Sequence, residues 1–111
     1  MTTNTLKPGD QVRTAVNGKR WWTVQAAGDR YAICTRNLPF RPAGEYEYTI
    51  LDFEAQQQGP CNLIGNGWDV SDYITLEAGW RALHIQLLAG SLELSHRQSI
   101  PLHITETRGK P

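Results

Sequence analysis

The sequence is poor in the features that mark membrane-bound, strongly charged or disulfide-bonded proteins. Its apolar runs are far shorter than the roughly 20 residues that span a bilayer, and the threonine-rich start lacks the charged and apolar regions of a signal peptide. Eleven Lys and Arg balance eleven Asp and Glu, so no overall field attracts the protein to a polyanion. We expect a cytoplasmic protein that enters no membrane. Nonspecific nucleic-acid binding is disfavoured, although a local basic patch would still permit it.

Signatures of nucleotide, cofactor and metal binding are also missing. Gly65-Asn66-Gly67 lacks the third glycine and the helix start of a dinucleotide site, and there is no phosphate loop. Cys34 and Cys61 are the only cysteines, and neither has the Cys-x-x-Cys or His-x-x-x-His spacing of a zinc site. We expect no cofactor, no metal and two reduced thiols.

The composition that remains is that of one folded domain. In a chain of 111 residues, 40% hydrophobic and 20% charged, a single core can form without a metal or disulfide. Because neither a repeat nor a linker interrupts it, residues 1–111 are predicted to be one domain, with residues 1–5 and 106–111 as flexible tails.

The first half of the chain alternates as β-strands do. The turn Leu6-Lys7-Pro8-Gly9-Asp10 with Val12 after it resembles the opening of many SH3-like barrels. Asn17-Gly18 and Gly28-Asp29 are hairpin signals that divide the next residues into a three-stranded meander.

The turns also predict which residues share a face of the meander. A three-residue loop at 17–19 places Val12 opposite Val24, and a two-residue loop at 28–29 places Val24 opposite Ile33. Both choices agree on an inner face of Val12, Trp22, Val24, Tyr31 and Ile33. The outer face then carries Arg13, Trp21, Thr23, Cys34 and Arg36.

The rest of the chain adds strands and one helix. A projecting loop at 37–44 carries Phe40, a fourth strand covers residues 45–53 with apolar residues in both phases, and residues 59–69 form an ordered loop that includes Trp68. A helix is predicted near residues 75–89 from the apolar stripe Leu76, Trp80, Leu83 and Leu87, with Gly90 as its stop. Fifth and sixth strands follow at Leu92 and Leu94 and at Ile100, Leu102 and Ile104.

These elements predict a mainly β fold with one helix (α+β). The architecture would be a small, strongly bent antiparallel sheet or an SH3-like partly open barrel with the helix inserted near residues 75–89. An α+β roll is the alternative. An exposed fourth or sixth strand could pair with its copy in a homodimer.

Two constellations could carry function. On the outer face, Trp21 would lie opposite Arg36 and beside Arg13, an arrangement typical of protein-binding hot spots and of single-stranded nucleic-acid platforms. The alternative is that the helix covers this face and makes Trp21 a core residue.

The second constellation is thiol chemistry. Cys61 could act as a nucleophile with His84, His96 or His103 as its base, but no signature of a cysteine hydrolase surrounds it, and a buried structural cysteine is the default. His96 also follows a strand end, where it would titrate near neutral pH.

Across most of its length the chain resembles small proteins of unknown function from actinobacterial phages and prophages. The resemblance lies in residues 6–10, 20–24, 31–36, 48–52, 59–67 and 95–101. It implies a role in the bacterial cytoplasm during infection or lysogeny, and it transfers no catalytic residues.

Together these observations predict a non-enzymatic module that recognises a host protein. Its binding residues would be Trp21, Arg36 and Arg13, or the loops around Phe40 and Trp68. A cysteine-dependent hydrolase or transferase that uses Cys61 is the alternative, and a nucleic-acid-binding module is the third hypothesis.

Overall fold

The computed structural model describes residues 6–15, 20–37, 45–59, 74–76, 84–92, 94 and 99–109. Within them lie eight β-strands: β1 (Gln11–Thr14), β2 (Trp22–Ala27), β3 (Tyr31–Asn37), β4 (Glu45–Asp52), β5 (Gln57–Gly59), β6 (Ile74–Leu76), β7 (Ile100–Pro101) and β8 (Ile104–Arg108). Residues 84–89 are helical.

Seven strands form one antiparallel sheet that curls into a half-barrel. Their order is β7-β5-β4-β3-β2-β1-β8, and β6 pairs separately with β4. The two outermost strands are separated in the chain only by Leu102 and His103, so the two edges of the sheet must approach each other. The predicted mainly β fold with a strongly bent sheet is confirmed.

The predicted turn at the start of the first strand is present. The Asp10 N–H donates to the Lys7 carbonyl at 3.0 Å, and Gly9 has a φ of 96°. Proline followed by a positive-φ glycine is the arrangement of a type II turn. In addition, the Lys7 N–H donates to Asp10 Oδ2 at 2.9 Å, so the side chain of Asp10 holds the turn that directs β1 into the sheet.

The register between β1 and β2 differs from the prediction by two residues. Val12 lies opposite Trp22 rather than opposite Val24, and residues 15–21 separate the two strands. Because side chains alternate with a period of two, an even shift keeps each residue on its predicted face. Val12, Trp22 and Val24 are accordingly buried together.

The predicted register between β2 and β3 is wrong by one residue at Val24, so residues of β3 lie on the opposite face of the sheet from the predicted one. Val24 lies opposite Cys34, and a bulge between Val24 and Ala26 shifts the pairing again. Cys34 therefore shares the face of Val24, whereas Tyr31 and Ile33 lie on the other face. The predicted inner position of Tyr31 and Ile33 and the predicted outer position of Cys34 are both wrong.

The sheet is buried on both faces. The inner core, inside the curl, consists of Val12, Trp22, Val24, Ala32, Cys34, Leu51 and Phe53, and Leu102 and Ile104 pack against it. The outer core consists of Ala26, Ile33, Tyr48, Ile50, Leu92 and Leu94, with Tyr31 and Leu87 against it. The two apolar phases of the fourth strand reflect this burial on both sides.

The second half departs furthest from the sequence prediction. Leu76, taken as the start of the helical stripe, belongs to strand β6, where it pairs with Glu45. The described helix covers only residues 84–89, and Trp80 and Leu83 lie outside the described residues. The predicted fifth strand is limited, in the described part, to an isolated bridge at Leu94.

Gly90 ends the helix as predicted. It has a φ of 74°, its N–H donates to the Leu87 carbonyl at 3.2 Å, and the Ser91 N–H donates to the Gln86 carbonyl at 3.0 Å. This pair of bonds is a Schellman motif, which favours glycine because the residue after the helix is left-handed.

The C-terminal residues are more ordered than predicted. Residues 106–108, expected in a flexible tail, belong to β8, which pairs with β1 from Gln11↔Arg108 to Thr14↔Ile104. Residues 57–59 form β5 and pair with β4, so Gly59, expected at the start of the ordered loop 59–69, belongs to a strand.

Candidate protein-binding surface

Trp21 lies within a cluster of charged side chains on the outer face of β1 and β8. Val12 and Trp22 point into the inner core, so their neighbours Arg13 and Trp21 project from the other face. Across β1, Arg108 of β8 pairs with Gln11, and Glu106 pairs with Arg13. We call Trp21, Arg13, Arg108, Gln11 and Glu106 the Trp21 patch.

Two guanidinium groups lie against the indole ring of Trp21. Cζ of Arg108 is 4.0 Å from the ring centroid, and Cζ of Arg13 is 4.4 Å from it. Both distances are within the range of cation–π attraction, which is worth roughly 0.5–1 kcal/mol at an exposed site. The indole therefore holds the positive charges in a defined arrangement.

Each arginine has a second contact that fixes its orientation. Arg13 Nη1 donates to Glu106 Oε1 at 2.7 Å, in an ion pair whose side chains are 30% and 55% exposed. Arg108 Nε donates to Gln11 Oε1 at 2.6 Å. Arg108 is exposed, and among the described residues no carboxylate pairs with it. Its terminal nitrogens are hydrogen-bond donors.

Arg36, predicted to stack on Trp21, lies on the opposite face of the sheet. Its Cζ is 3.9 Å from the ring centroid of Trp22, and the residue is only 7% exposed. The bulge in β2 changes the face of β3 relative to Trp21, so Arg36 packs on the neighbouring tryptophan. The structure therefore brings together Trp21 and Arg13 and removes Arg36 from this surface.

Gln11, Glu106 and Arg108 are patch residues that the sequence analysis does not predict as site residues. Glu106 and Arg108 fall within the predicted flexible tail 106–111. The signal that indicates a strand there is the run Ile104-Thr105-Glu106-Thr107, in which three of the four residues are β-branched.

The short helix covers another part of the sheet. Leu87 packs against the outer core, and a Cβ added at Gly28 would lie 3.3 Å from Leu87 Cδ1. These contacts place the helix near the β2–β3 turn, and Trp21 is left half-exposed. The described helix therefore leaves Trp21 partly exposed, and Trp80 and Leu83 of the predicted stripe lie outside the described residues.

Cys34 has no access to a substrate. It is completely buried in the inner core, and burial raises the pKa of its thiol far above the usual value. Cys61, His96, Phe40 and Trp68, which were predicted as catalytic or binding residues, lie outside the described residues. Among the residues described, no three His, Cys, Asp or Glu side chains gather in a way that could hold a metal ion.

Among the described residues, the most buried charge has a structural role. Asp52 is fully buried and accepts hydrogen bonds from Arg30 Nε and Nη2, each at 2.9 Å, and from the N–H groups of Glu54 and Ala55. Burial alone would raise the pKa of Asp52, but these donors outweigh it and hold the pKa below its ordinary value. Because Asp52 accepts from the N–H groups of Glu54 and Ala55, it fixes the β4–β5 turn.

Comparison with family models, curated proteins and solved structures returns no match for this chain. In the described part of the chain, no helix has both the length and the apolar character to cross a membrane.

Proposed function

We propose that this chain is a non-enzymatic binding module that recognises a host protein in the bacterial cytoplasm, as the resemblance to small phage and prophage proteins implies. Its half-barrel would be SH3-like. That reading is supported by the meander of β1 to β4 and by the return of the last strand to β1. The Trp21 patch would be the recognition surface.

The observation that carries the proposal is the half-exposed indole with two arginines against it. Tryptophan and arginine are the residue types most enriched in binding hot spots. Because Glu106 and Gln11 already orient the two guanidinium groups, little side-chain freedom remains to be lost on binding.

The charges of the patch define the partner. Arg13 and Arg108 outnumber Glu106, so the patch has a net positive charge although the chain as a whole is neutral. The terminal nitrogens of Arg108 can bind a carboxylate in a bidentate geometry. The fitting partner is a protein segment with an Asp or Glu beside an apolar side chain that packs on the edge of the indole.

A nucleic acid suits this surface less well. A base would have to stack on the Trp21 ring, where the guanidinium groups of Arg13 and Arg108 already lie. The neutral chain also provides little long-range attraction to a phosphate backbone.

Affinity capture from a bacterial lysate, with and without nuclease, tests the proposal. The wild-type chain should retain the same host protein in both conditions, and Arg108→Glu should lose it because the reversed charge repels a carboxylate. Leu88→Ala is the matched control, since Leu88 is 77% exposed on the helix, away from the patch. Capture that disappears with nuclease would indicate nucleic acid instead, and equal capture by Arg108→Glu would exclude the patch.

A further inference from the structure

The second edge of β8 pairs with no other strand in the described part of the molecule. β8 is the last strand in the sheet order and pairs there only with β1. The Leu102 N–H donates to the Gln56 carbonyl in the β4–β5 turn. β8 begins two residues later, at Ile104. Thr105 to Arg108 are all exposed, and an exposed edge of this kind is a template for another strand.

The hydrogen-bond pattern identifies the residue that directs its backbone outward. The Asp10 carbonyl accepts from the Val24 N–H of β2. By antiparallel alternation, Gln11 and Arg13 direct their backbone groups toward β8. Their partners Arg108 and Glu106 point back toward β1, so the N–H and carbonyl of Thr107 point to the open edge.

We propose that this edge pairs with a second copy of the chain, antiparallel and centred on Thr107. In this register Thr107 faces Thr107 of the partner subunit, and Glu106 faces Arg108 of the partner subunit. The two-fold axis repeats the ion pair, so the contact contains two of them. A register centred on Glu106 would instead place like charges opposite each other, which is destabilising.

The existing contacts of Glu106 and Arg108 leave polar atoms free in both side chains for the ion pairs across the dimer. Glu106 uses Oε1 for Arg13, which leaves Oε2. Arg108 uses Nε for Gln11, which leaves its terminal nitrogens. The sheet would continue across the interface with both Trp21 patches on one side, so that Glu106 of the partner subunit lies beside Arg108 of the patch. The dimer does not depend on the proposed host partner, with whose carboxylate Glu106 of the partner subunit would compete for Arg108.

Sedimentation velocity on the purified chain, from about 1 μM to about 500 μM, tests this pairing, since an interface of a few strand residues is weak. We expect the mass to rise from monomer to dimer over this range. Glu106→Arg and Arg108→Glu should each weaken association by about tenfold or more, because both ion pairs become repulsive. An equimolar mixture of the two variants should restore it, since each interface then contains opposite charges again.

Thr107→Pro provides a backbone test. It removes an outward N–H and leaves the bonds to β1 in place, so the fold should remain and the dimer should be lost. A monomer at every concentration would overturn the proposal. So would a dimer that persists in Thr107→Pro and in both charge variants, because it would use another surface.

Discussion

Trp21 and Trp22 are adjacent in the sequence and lie on opposite faces of the same sheet. Trp22 is 3% exposed within the inner core, whereas Trp21 is half-exposed and lies against Arg13 and Arg108. The alternation of the strand predicts this difference, but it does not say which tryptophan faces inward. The apolar partners Val12 and Val24 decide that question.

The two tryptophans should therefore respond differently to truncation. Trp22→Ala should reduce the free energy of unfolding by about 3 kcal/mol or more, because it leaves a cavity in the core. Trp21→Ala should reduce it by only about 1 kcal/mol, the value of its exposed stacking contacts. Urea unfolding at neutral pH measures both, and equal losses would contradict the assigned faces.

Asp52 should make stability depend on acid pH. Its pKa is lower in the folded than in the unfolded chain, so its contribution is complete above the unfolded pKa of about 4 and is lost as the pH falls through the folded value. Asp52→Asn should reduce the free energy of unfolding at pH 7 by about 2 kcal/mol and flatten its acid dependence.

Glu54→Gln is the control for Asp52. The Glu54 side chain is 74% exposed, and its Oε1 lies 3.7 Å from Arg30 Nη1. Removing its charge should therefore change the free energy of unfolding by less than about 0.5 kcal/mol. Urea titrations between pH 7 and pH 2 measure both variants. An unchanged acid slope in Asp52→Asn would show that another carboxylate controls the acid transition.

Cys34 should be unreactive in the folded chain. In a Cys61→Ser variant, where it is the only thiol, a neutral-pH alkylating reagent should label Cys34 only after denaturant unfolds the protein, because its thiolate is suppressed by burial. Mass spectrometry measures the label. Rapid labelling without denaturant would contradict the burial of this side chain.

At the scale of elements, the strands were more predictable than their registers. Turn chemistry located β1, β2 and β3, since the sequence signals at Gly9, Gly18 and Gly28 predict turns before or between these strands. The bulge after Val24 has no such signal, because Gln25 is compatible with either pairing. Because of this shift of one residue, Cys34 and Arg36 lie on the inner face, and Arg36 is absent from the outer surface on which it was predicted.

The helix shows the limit of periodicity. Leu76 fits an apolar stripe with Leu87, but three residues at Ile74–Leu76 gain backbone pairing with β4 instead. A short run of β-branched and apolar residues is compatible with both structures, and tertiary pairing decides between them. The stop at Gly90 was predictable because it depends only on local chemistry.

Two uncrowded glycines, Gly90 and Gly109, isolate the cost of a left-handed backbone. A Cβ at Gly90 or at Gly109 would meet no atom within 4 Å, but only Gly90 has a positive φ, of 74°. Gly90→Ala should reduce the free energy of unfolding by about 1 kcal/mol, and Gly109→Ala should be close to neutral. Thermal and urea unfolding measure the pair, and equal effects would contradict the Schellman geometry.

At the scale of the whole molecule, the last strand both covers the inner core and completes the Trp21 patch. β8 covers the inner core through Ile104 and provides Arg108 and Glu106 to the outer face. These contacts join residues about 90 positions apart, such as Arg13 and Glu106. Local patterns predicted Trp21 and Arg13 as neighbours. The run before Arg108 indicates a strand, but pairing at such a separation leaves no local trace, so the place of Arg108 beside Trp21 is visible only in the fold.

The most direct measurement is the affinity of the captured host protein for wild type, Trp21→Ala and Leu88→Ala by isothermal titration calorimetry. Urea unfolding would first establish that both variants fold. We expect Trp21→Ala to weaken binding by about 30-fold, the ~2 kcal/mol of a hot spot, and Leu88→Ala to bind like wild type. Wild-type affinity in Trp21→Ala, or a loss confined to Leu88→Ala, would contradict the Trp21 patch as the recognition surface.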